Sequence, residues 1–574
     1  MSSAEPVAGL DIILAGQAGQ GVSLAAQLLG RALVRQGLQV HATMDTMSRI
    51  RGGDNSAWVR VSGREVACRG DRAQLLVCLD PALVGPHRHE LAPDAVVLTG
   101  EGEQLESDGS YRLVQVPLKA LAVKHGGRAV MANAVALGCV IGLFEAGTEA
   151  LGTVLGDRFD DVAAEANRKC VEAGYALMRS RARLGTLGRL PEPQDTGTRL
   201  FLSGAQAMAL GAFAAGVRVV AGYPMSPGTP ILEACAGWAG RAQLVVEQTE
   251  DEIAALNLCL GASFAGARAL VATAGGGFAL MNEAFSLAGM TETGVVVCLG
   301  MRPGPATGLA TRTAQADLLF AVHAGHGEFP RAVLAPGDAS QAFDAVRRAC
   351  GLAERFQTPV IVLFDQFLAD GLWTMAEPDA GPAAVPGRDE PAGAPEEYAR
   401  YRVTGSGISP RVLPGDAGRL VYADSDEHTE QGHITESAET RVRMVDKRNR
   451  KLAGIAAELE PPEVYPPGGA ETTVCCFGST RGVVREAVDR LREEGRDVAM
   501  VHFRDVWPFP AETVRGLLDR SRRVLTVENN STGQLAMLLA QEARIRADGT
   551  VARFDGRAFE PGEVARGIEE QAGG

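Results

Sequence analysis

Residues 269–304 read ALVATAGGGFALMNEAFSLAGMTETGVVVCLGMRPG. Two runs in this stretch, 269–272 and 295–299, are continuously apolar, as in strands buried on both faces. Glycine-rich chain follows each run at once: Thr273-Ala274-Gly275-Gly276-Gly277 after the first and Met301-Arg302-Pro303-Gly304 after the second. Working outward, the same rhythm recurs. Upstream, a strand over 219–221 ends in a Pro-rich turn, and near the N-terminus an apolar strand over 11–15 runs through the glycine loop 16–21 into helical spacing over 22–35. Downstream, 359–364 is a further apolar run. Residues 473–477 lead into a helix with Val484, Val488 and Leu491 at i, i+4 and i+7, and strands recur at 498–501 and 524–527. Strand–helix alternation throughout predicts α/β domains with mostly parallel sheets.

Two proline-rich stretches divide the chain. Residues 186–198 contain Pro191, Pro193 and Gly197, and residues 377–395 contain Pro378, Pro382, Pro386, Pro391 and Pro395. Proline breaks helix interiors and central strands, so three parts are expected: 1–185, 199–376 and roughly 396–574. A chain of 574 residues suits three or four domains. Hydrophobic residues make up 46% and charged residues 22%, the balance of a globular protein without extensive disorder. The net charge of −14 argues against a dedicated nucleic-acid binder, and 5% aromatics against a base-stacking platform.

The first nine residues carry no basic segment and no apolar core, so no secretory signal is expected. The longest uncharged stretch, 129–144, falls short of the ~20 residues of a membrane span and reads as a buried helix. No membrane partner is expected. The ten cysteines include no C-x-x-C pair, and most sit in apolar runs, which excludes a clustered iron–sulfur or zinc site. They suit a reducing compartment, the cytoplasm.

Five motifs carry candidate chemistry. Gly16-Gln17-Ala18-Gly19-Gln20-Gly21 joins a strand to a helix. Its spacing is neither the dinucleotide fingerprint nor a Walker loop, and it is either an anion cradle or a plain tight turn. Arg49 and Arg51, beside Gly52-Gly53, suit a phosphate or belong to a solvated hairpin. Tyr223-Pro224-Met225-Ser226-Pro227 holds a hydroxyl in a proline-fixed turn at a strand's C-terminal end, where ligands bind in open α/β sheets, or is an ordinary Pro turn. Glu250, Asp251 and Glu252 open a helix, where the dipole favours acids. The residues after Glu252 are apolar without a break, which points to a partly buried, functional carboxylate there. Arg302 stands at a strand end beside a Gly/Pro loop and suits a substrate carboxylate. That loop is followed by Thr311-Arg312-Thr313 and Gln315-Ala316-Asp317.

Taken in order, these motifs resemble the 2-oxoacid:ferredoxin oxidoreductases, specifically the α subunit with a γ domain fused at its N-terminus, as in the 2-oxoglutarate branch. Gly432-His433-Ile434-Thr435-Glu436 and Lys447-Arg448 extend the resemblance, which covers nearly the whole chain. It implies three α/β domains: a γ-type domain at 1–185 on the coenzyme A side, a thiamine diphosphate pyrimidine-binding domain at 199–376, and a transketolase C-terminal-like domain at 471–574. Residues 186–198 are then a linker, and 377–470 a linker and connecting segment. Glu252 matches the glutamate that hydrogen-bonds the aminopyrimidine ring, where a carboxylate favours the imino tautomer that takes the thiazolium proton. Tyr223 and Pro224 fall on the cofactor side. Ser226 matches a threonine that contacts substrate, and Arg302 the arginine that holds the 2-oxoacid carboxylate. Gly19, Gln20, Gly21, Arg49 and Arg51 would lie near the phosphates of coenzyme A.

The chain departs from the family pattern at three places. The usual Y-P-I-T-P carries Met225 and Ser226, T-S-G-P-G is Thr273-Ala274-Gly275-Gly276-Gly277, and R-I-R-G-G-H-N has Asp54 in place of histidine. No Gly-Asp-Gly occurs to hold Mg²⁺ and the diphosphate, and no clustered cysteines are present. The resemblance therefore implies a β subunit that supplies the metal site and a four-iron cluster, with ferredoxin or a similar low-potential carrier as acceptor and activity only in the complex. The expected reaction is oxidative decarboxylation of a 2-oxoacid, best matched to 2-oxoglutarate, to an acyl-CoA. Pyruvate, branched-chain, aryl or indole pyruvates, a coenzyme-A-independent variant, and a non-catalytic assembly subunit are the alternatives.

Overall fold

The computed structural model describes residues 9–46, 53–101, 109–181, 187–194, 197–379, 381, 398–416 and 418–573. They fall into two compact units. The first comprises Met1–Leu202, Gly371–Glu377 and Glu560–Gly562, and the second Ser203–Asp370, Pro378–Phe559 and Glu563–Gly574.

The first unit is built on an eight-stranded sheet. Its strands run in the order Arg112–Val116, Leu91–Gly100, Ala73–Cys78, Gly9–Gln17, Asp54–Ser62, Gln39–Thr46, Leu372–Ala376 and Arg199–Ser203. The first four are mutually parallel. Asp54–Ser62 is antiparallel to both neighbours, so this sheet is mixed where the alternation predicted a mostly parallel one. The strand Gly9–Gln17 is buried at every residue between its ends and leads through the glycine loop into the helix Val22–Arg35. The uncharged stretch forms the helix Ala132–Leu143, buried from Ala134 onward. No single helix among the described residues is long and apolar enough to cross a membrane.

The second unit holds two sheets. Seven strands form the central one, in the order Asp505–Trp507, Ala332–Leu334, Pro359–Asp365, Val295–Met301, Ala269–Ala274, Val219–Gly222 and Val245–Gln248. All are parallel except Asp505–Trp507. The runs read as fully buried strands are so: Ala269–Ala274, Val295–Met301 and Pro359–Asp365 are buried at every residue. The second sheet orders Glu463–Tyr465, Val498–Phe503, Thr472–Phe477, Arg523–Glu528 and Gly549–Ala552, parallel but for the first. One hydrophobic core serves both sheets, with Val271, Val297 and Leu299 of one and Cys475, Phe477 and Phe503 of the other. Each such side chain contributes about 1.5–3 kcal/mol on full burial.

Side-chain caps fix three helices of the second unit. Ser203 and Gln206 form a capping box on Gly204–Ala214, Asp338 accepts from Gln341 N at 2.9 Å, and Ser437 accepts from Thr440 N at 3.2 Å. The connecting segment is pinned by buried charge. Glu292 is paired with Lys447 and Lys451, each at 2.6 Å, and its backbone carbonyl accepts from Arg400 at 2.8 Å. All ten cysteines are free and buried.

Candidate active site

Parallel strands bring the loops that follow them to one edge. The register sets Gly222 beside Gln248, Ala221 beside Val271 and Ala274 beside Gly300. The turn at 223–228, the acidic start at 249–252, the glycines at 275–277 and the loop at 302–309 therefore all leave the carboxyl edge of the central sheet. Ligands bind at such edges.

Glu252 is the first residue of the helix Glu252–Phe264. Asp251 caps that helix, accepting from Ala254 N at 2.8 Å, and Thr249 N donates to Gly222 O at 3.1 Å, which ties the helix start to the next strand. Glu252 is 3% exposed, and its Oε1 has no hydrogen-bond partner among the described residues. A buried carboxylate oxygen left bare costs free energy unless a donor arrives from outside the chain. Gly277 faces it: a Cβ there would stand 2.7 Å from Glu252 Oε1 and nearer still to Thr273 Oγ1. Only glycine fits beside this oxygen without crowding it, and the residues fit a ligand that donates one hydrogen bond there, as an aminopyrimidine does.

Ser226 and Arg302 come together. Nη1 of Arg302 donates to Ser226 O at 2.8 Å, and the rest of the guanidinium has no partner among the described residues. Partial burial lowers the Arg302 pKa from its ordinary value. Leu309 N donates to Pro303 O at 3.0 Å and closes the loop beyond Arg302. Tyr223, 41% exposed, and Pro224, also exposed, lie at the rim. Asp317, quoted above without a role, lies against Gly275: its Oδ2 is 2.6 Å from the place a Cβ would take. Burial pushes its carboxyl up to about 6.

The glycine loop belongs to the first unit. Gly21 caps the helix Val22–Arg35 at φ 77°, and Gly19, at φ 91°, has open space over it. Gln20 turns inward, its Oε1 accepting from Gln17 N at 2.8 Å, and so braces its own loop. Arg49 and Arg51 lie outside the described residues. No group of three or more His, Cys, Asp or Glu side chains placed for a metal occurs among the described residues.

Three family models match the chain. "Pyruvate ferredoxin/flavodoxin oxidoreductase" matches residues 11–177, "Pyruvate flavodoxin/ferredoxin oxidoreductase, thiamine diP-bdg" matches 210–447, and "Pyruvate:ferredoxin oxidoreductase core domain II" matches 470–564. The chain is 30% identical to 2-oxoacid:ferredoxin oxidoreductase 2, subunit alpha, of Aeropyrum pernix, over 98% of this chain and 97% of that protein. It is also 30% identical to 2-oxoglutarate oxidoreductase subunit KorA of Mycobacterium tuberculosis, over 98% and 91%. Among solved structures it is similar to 2-oxoglutarate:ferredoxin oxidoreductase from Magnetococcus marinus, which has 2-oxoglutarate, coenzyme A and succinyl-CoA bound. The TM-score is 0.90 at 29% identity, covering 98% of this chain and all of that one.

Proposed function

We propose, from the premise that this chain belongs to the 2-oxoacid:ferredoxin oxidoreductase family as an α subunit, that it forms the aminopyrimidine side of a thiamine diphosphate site and serves the oxidative decarboxylation of 2-oxoglutarate. The observation that carries this reading is the bare Oε1 of buried Glu252. When bound, thiamine diphosphate supplies the carbon nucleophile and electron sink for decarboxylation. Glu252 would hold its ring and share a proton at Oε1, with Tyr223 and Pro224 beside it at the rim. Arg302 would orient the 2-oxoacid carboxylate with the nitrogens it does not give to Ser226 O, and Ser226 would add a contact from the same turn.

The domain reading follows: a γ-type domain over 1–185, a pyrimidine-binding domain over 199–376 and a transketolase C-terminal-like domain over 471–574, with 186–198 and 377–470 as connections. Coenzyme A would meet the glycine loop at Gly19, Gln20 and Gly21, with Arg49 and Arg51. The name KorA and the ligands of the Magnetococcus structure support 2-oxoglutarate as substrate and coenzyme A as acyl acceptor. Naming of the relatives as α subunits supports a second subunit. That β subunit would bring Mg²⁺, the diphosphate site and the four-iron cluster, and pass electrons to ferredoxin in the cytoplasm.

The test is made on the chain co-purified with that partner. 2-Oxoglutarate is expected to give the highest kcat/KM among 2-oxoacids, with coenzyme A required. Glu252→Gln is expected to lower turnover by about 10²–10⁴-fold, the range for an acid–base group. Preference for pyruvate or an aryl pyruvate overturns the substrate, and near-normal turnover of Glu252→Gln overturns the site.

A further inference from the structure

The strip 315–319 joins the two sheets of the second unit, and one buried glutamine anchors it. Gln315 Nε2 donates to Phe477 O at 2.8 Å, and its Oε1 accepts from Asn529 N at 3.1 Å. Its backbone N donates to Asn529 O at 2.8 Å, and its carbonyl accepts from Asn530 Nδ2 at 3.1 Å. Phe477 ends one strand of the C-terminal sheet, and Asn529 and Asn530 follow the end of another. Gln534 grips the strip a second time, donating to Ala316 O at 2.7 Å and accepting from Leu319 N at 3.0 Å.

Asp317 stands between these two anchors. Its carboxylate lies against Gly275 and receives no hydrogen bond from the described residues. Burial opposes its ionisation, while its position at the start of the helix Gly275–Met290 favours the charged form. Gly275 opens the helix Gly275–Met290, whose first three residues are all glycine. With no side chains of their own, they take their position from what they pack against. Asp317 backs Gly275, Ala306 O lies 3.9 Å from the Cβ place of Gly276, and Glu252 with Thr273 backs Gly277. Two carboxylates thus meet one helical turn, one from the C-terminal anchor and one from the candidate active site.

We propose that Asp317 is a positioning residue for Glu252, acting through the turn 275–277, and that the C-terminal sheet sets its place through Gln315. This rests on the role given to Glu252 above. It gives the C-terminal sheet a part in the reaction: holding the turn that confines the activating carboxylate.

The test uses the co-purified complex. Asp317→Asn keeps the shape and removes the charge. It is expected to lower kcat by about 10- to 100-fold, the cost of an ångström-scale misplacement. The KM for 2-oxoglutarate, the thiamine diphosphate bound per complex and the melting temperature should stay near wild type. Gly275→Ala, which drives a methyl into the Asp317 carboxylate, should reproduce that pattern. In a Glu252→Gln background Asp317→Asn should cost nothing further, because the two act as one unit. Amide hydrogen exchange over 275–281, measured without cofactor, should quicken in Asp317→Asn and in Gln315→Leu. An unchanged kcat overturns the proposal. So does a loss that multiplies with that of Glu252→Gln, or one that shows only as a lowered melting temperature. If the wild-type complex fails on 2-oxoglutarate, or Glu252→Gln is near normal, the functional reading has failed instead.

Discussion

Arg302 gives one nitrogen to the turn at Ser226, and the others stay available for the substrate carboxylate proposed above. Arg302→Lys keeps the charge and loses the fork. A charge-assisted hydrogen bond is worth about 1.5–3 kcal/mol, so kcat/KM of the complex should fall about 10- to 150-fold. The melting temperature should hold. A fall in melting temperature with kinetics per folded enzyme unchanged would make Arg302 a structural ion instead. Gly277→Ala sets a methyl 2.7 Å from Glu252 Oε1. It should cut thiamine diphosphate affinity at least about tenfold, measured by cofactor titration, since one lost hydrogen bond of this kind exceeds 1.4 kcal/mol. The burial of Glu252 was legible in the sequence because an acid heading an uninterrupted apolar helix is seldom left in water. Asp317 was not, because its role depends on a glycine 42 positions earlier in the chain. The side-chain oxygen of Gln20 also braces its own loop, a local hydrogen bond that spacing alone does not reveal.

At the scale of elements, the helix Ala438–Glu458 buries Lys447, Arg448 and Lys451. Charged residues on a helix read as a solvated face, and only the partners change that reading. Glu292 meets Lys447 and Lys451, and Arg448 pairs with Glu427 through two bonds of 3.0 and 2.8 Å. Glu292→Gln leaves two buried cations short of an anion and should cost about 3–5 kcal/mol, read by denaturant unfolding. The neighbouring lysines and Arg400 overcome the burial penalty and hold the Glu292 carboxyl down to about 2, from 4.5. A depressed acid stabilises the fold fully above its unfolded value and loses that contribution as pH falls from about 4.5 towards 2. The melting temperature of the wild type should therefore drop through that window, and that of Glu292→Gln should drop less. Strands declared themselves more openly, since apolar runs of β-branched residues mark buried parallel strands, and the observed ones extend the predicted runs by a residue or two. The pairing of Leu372–Ala376 with Gln39–Thr46 was illegible, because partners more than 300 residues apart leave no local pattern.

Across the whole molecule, the shared core of the central and C-terminal sheets implies one cooperative structure in the second unit. Amides of Val295–Met301 and of Thr472–Phe477 should lose protection together as denaturant rises, and separate transitions would contradict the shared core. The ten cysteines have a practical consequence. Burial pushes the thiols of Cys78, Cys139, Cys235, Cys259, Cys350 and Cys475 up to about 12, and all ten cysteines are buried. The folded chain is therefore expected to react slowly with maleimides, since the thiolate is the reacting form, and a thiol titration with and without denaturant checks this. A single cysteine placed at a surface position such as Val162, 83% exposed, would take one fluorophore or spin label with no native thiol to remove. If that titration finds the native thiols protected, the wild-type chain serves as the cysteine-free background that such spectroscopy ordinarily has to engineer.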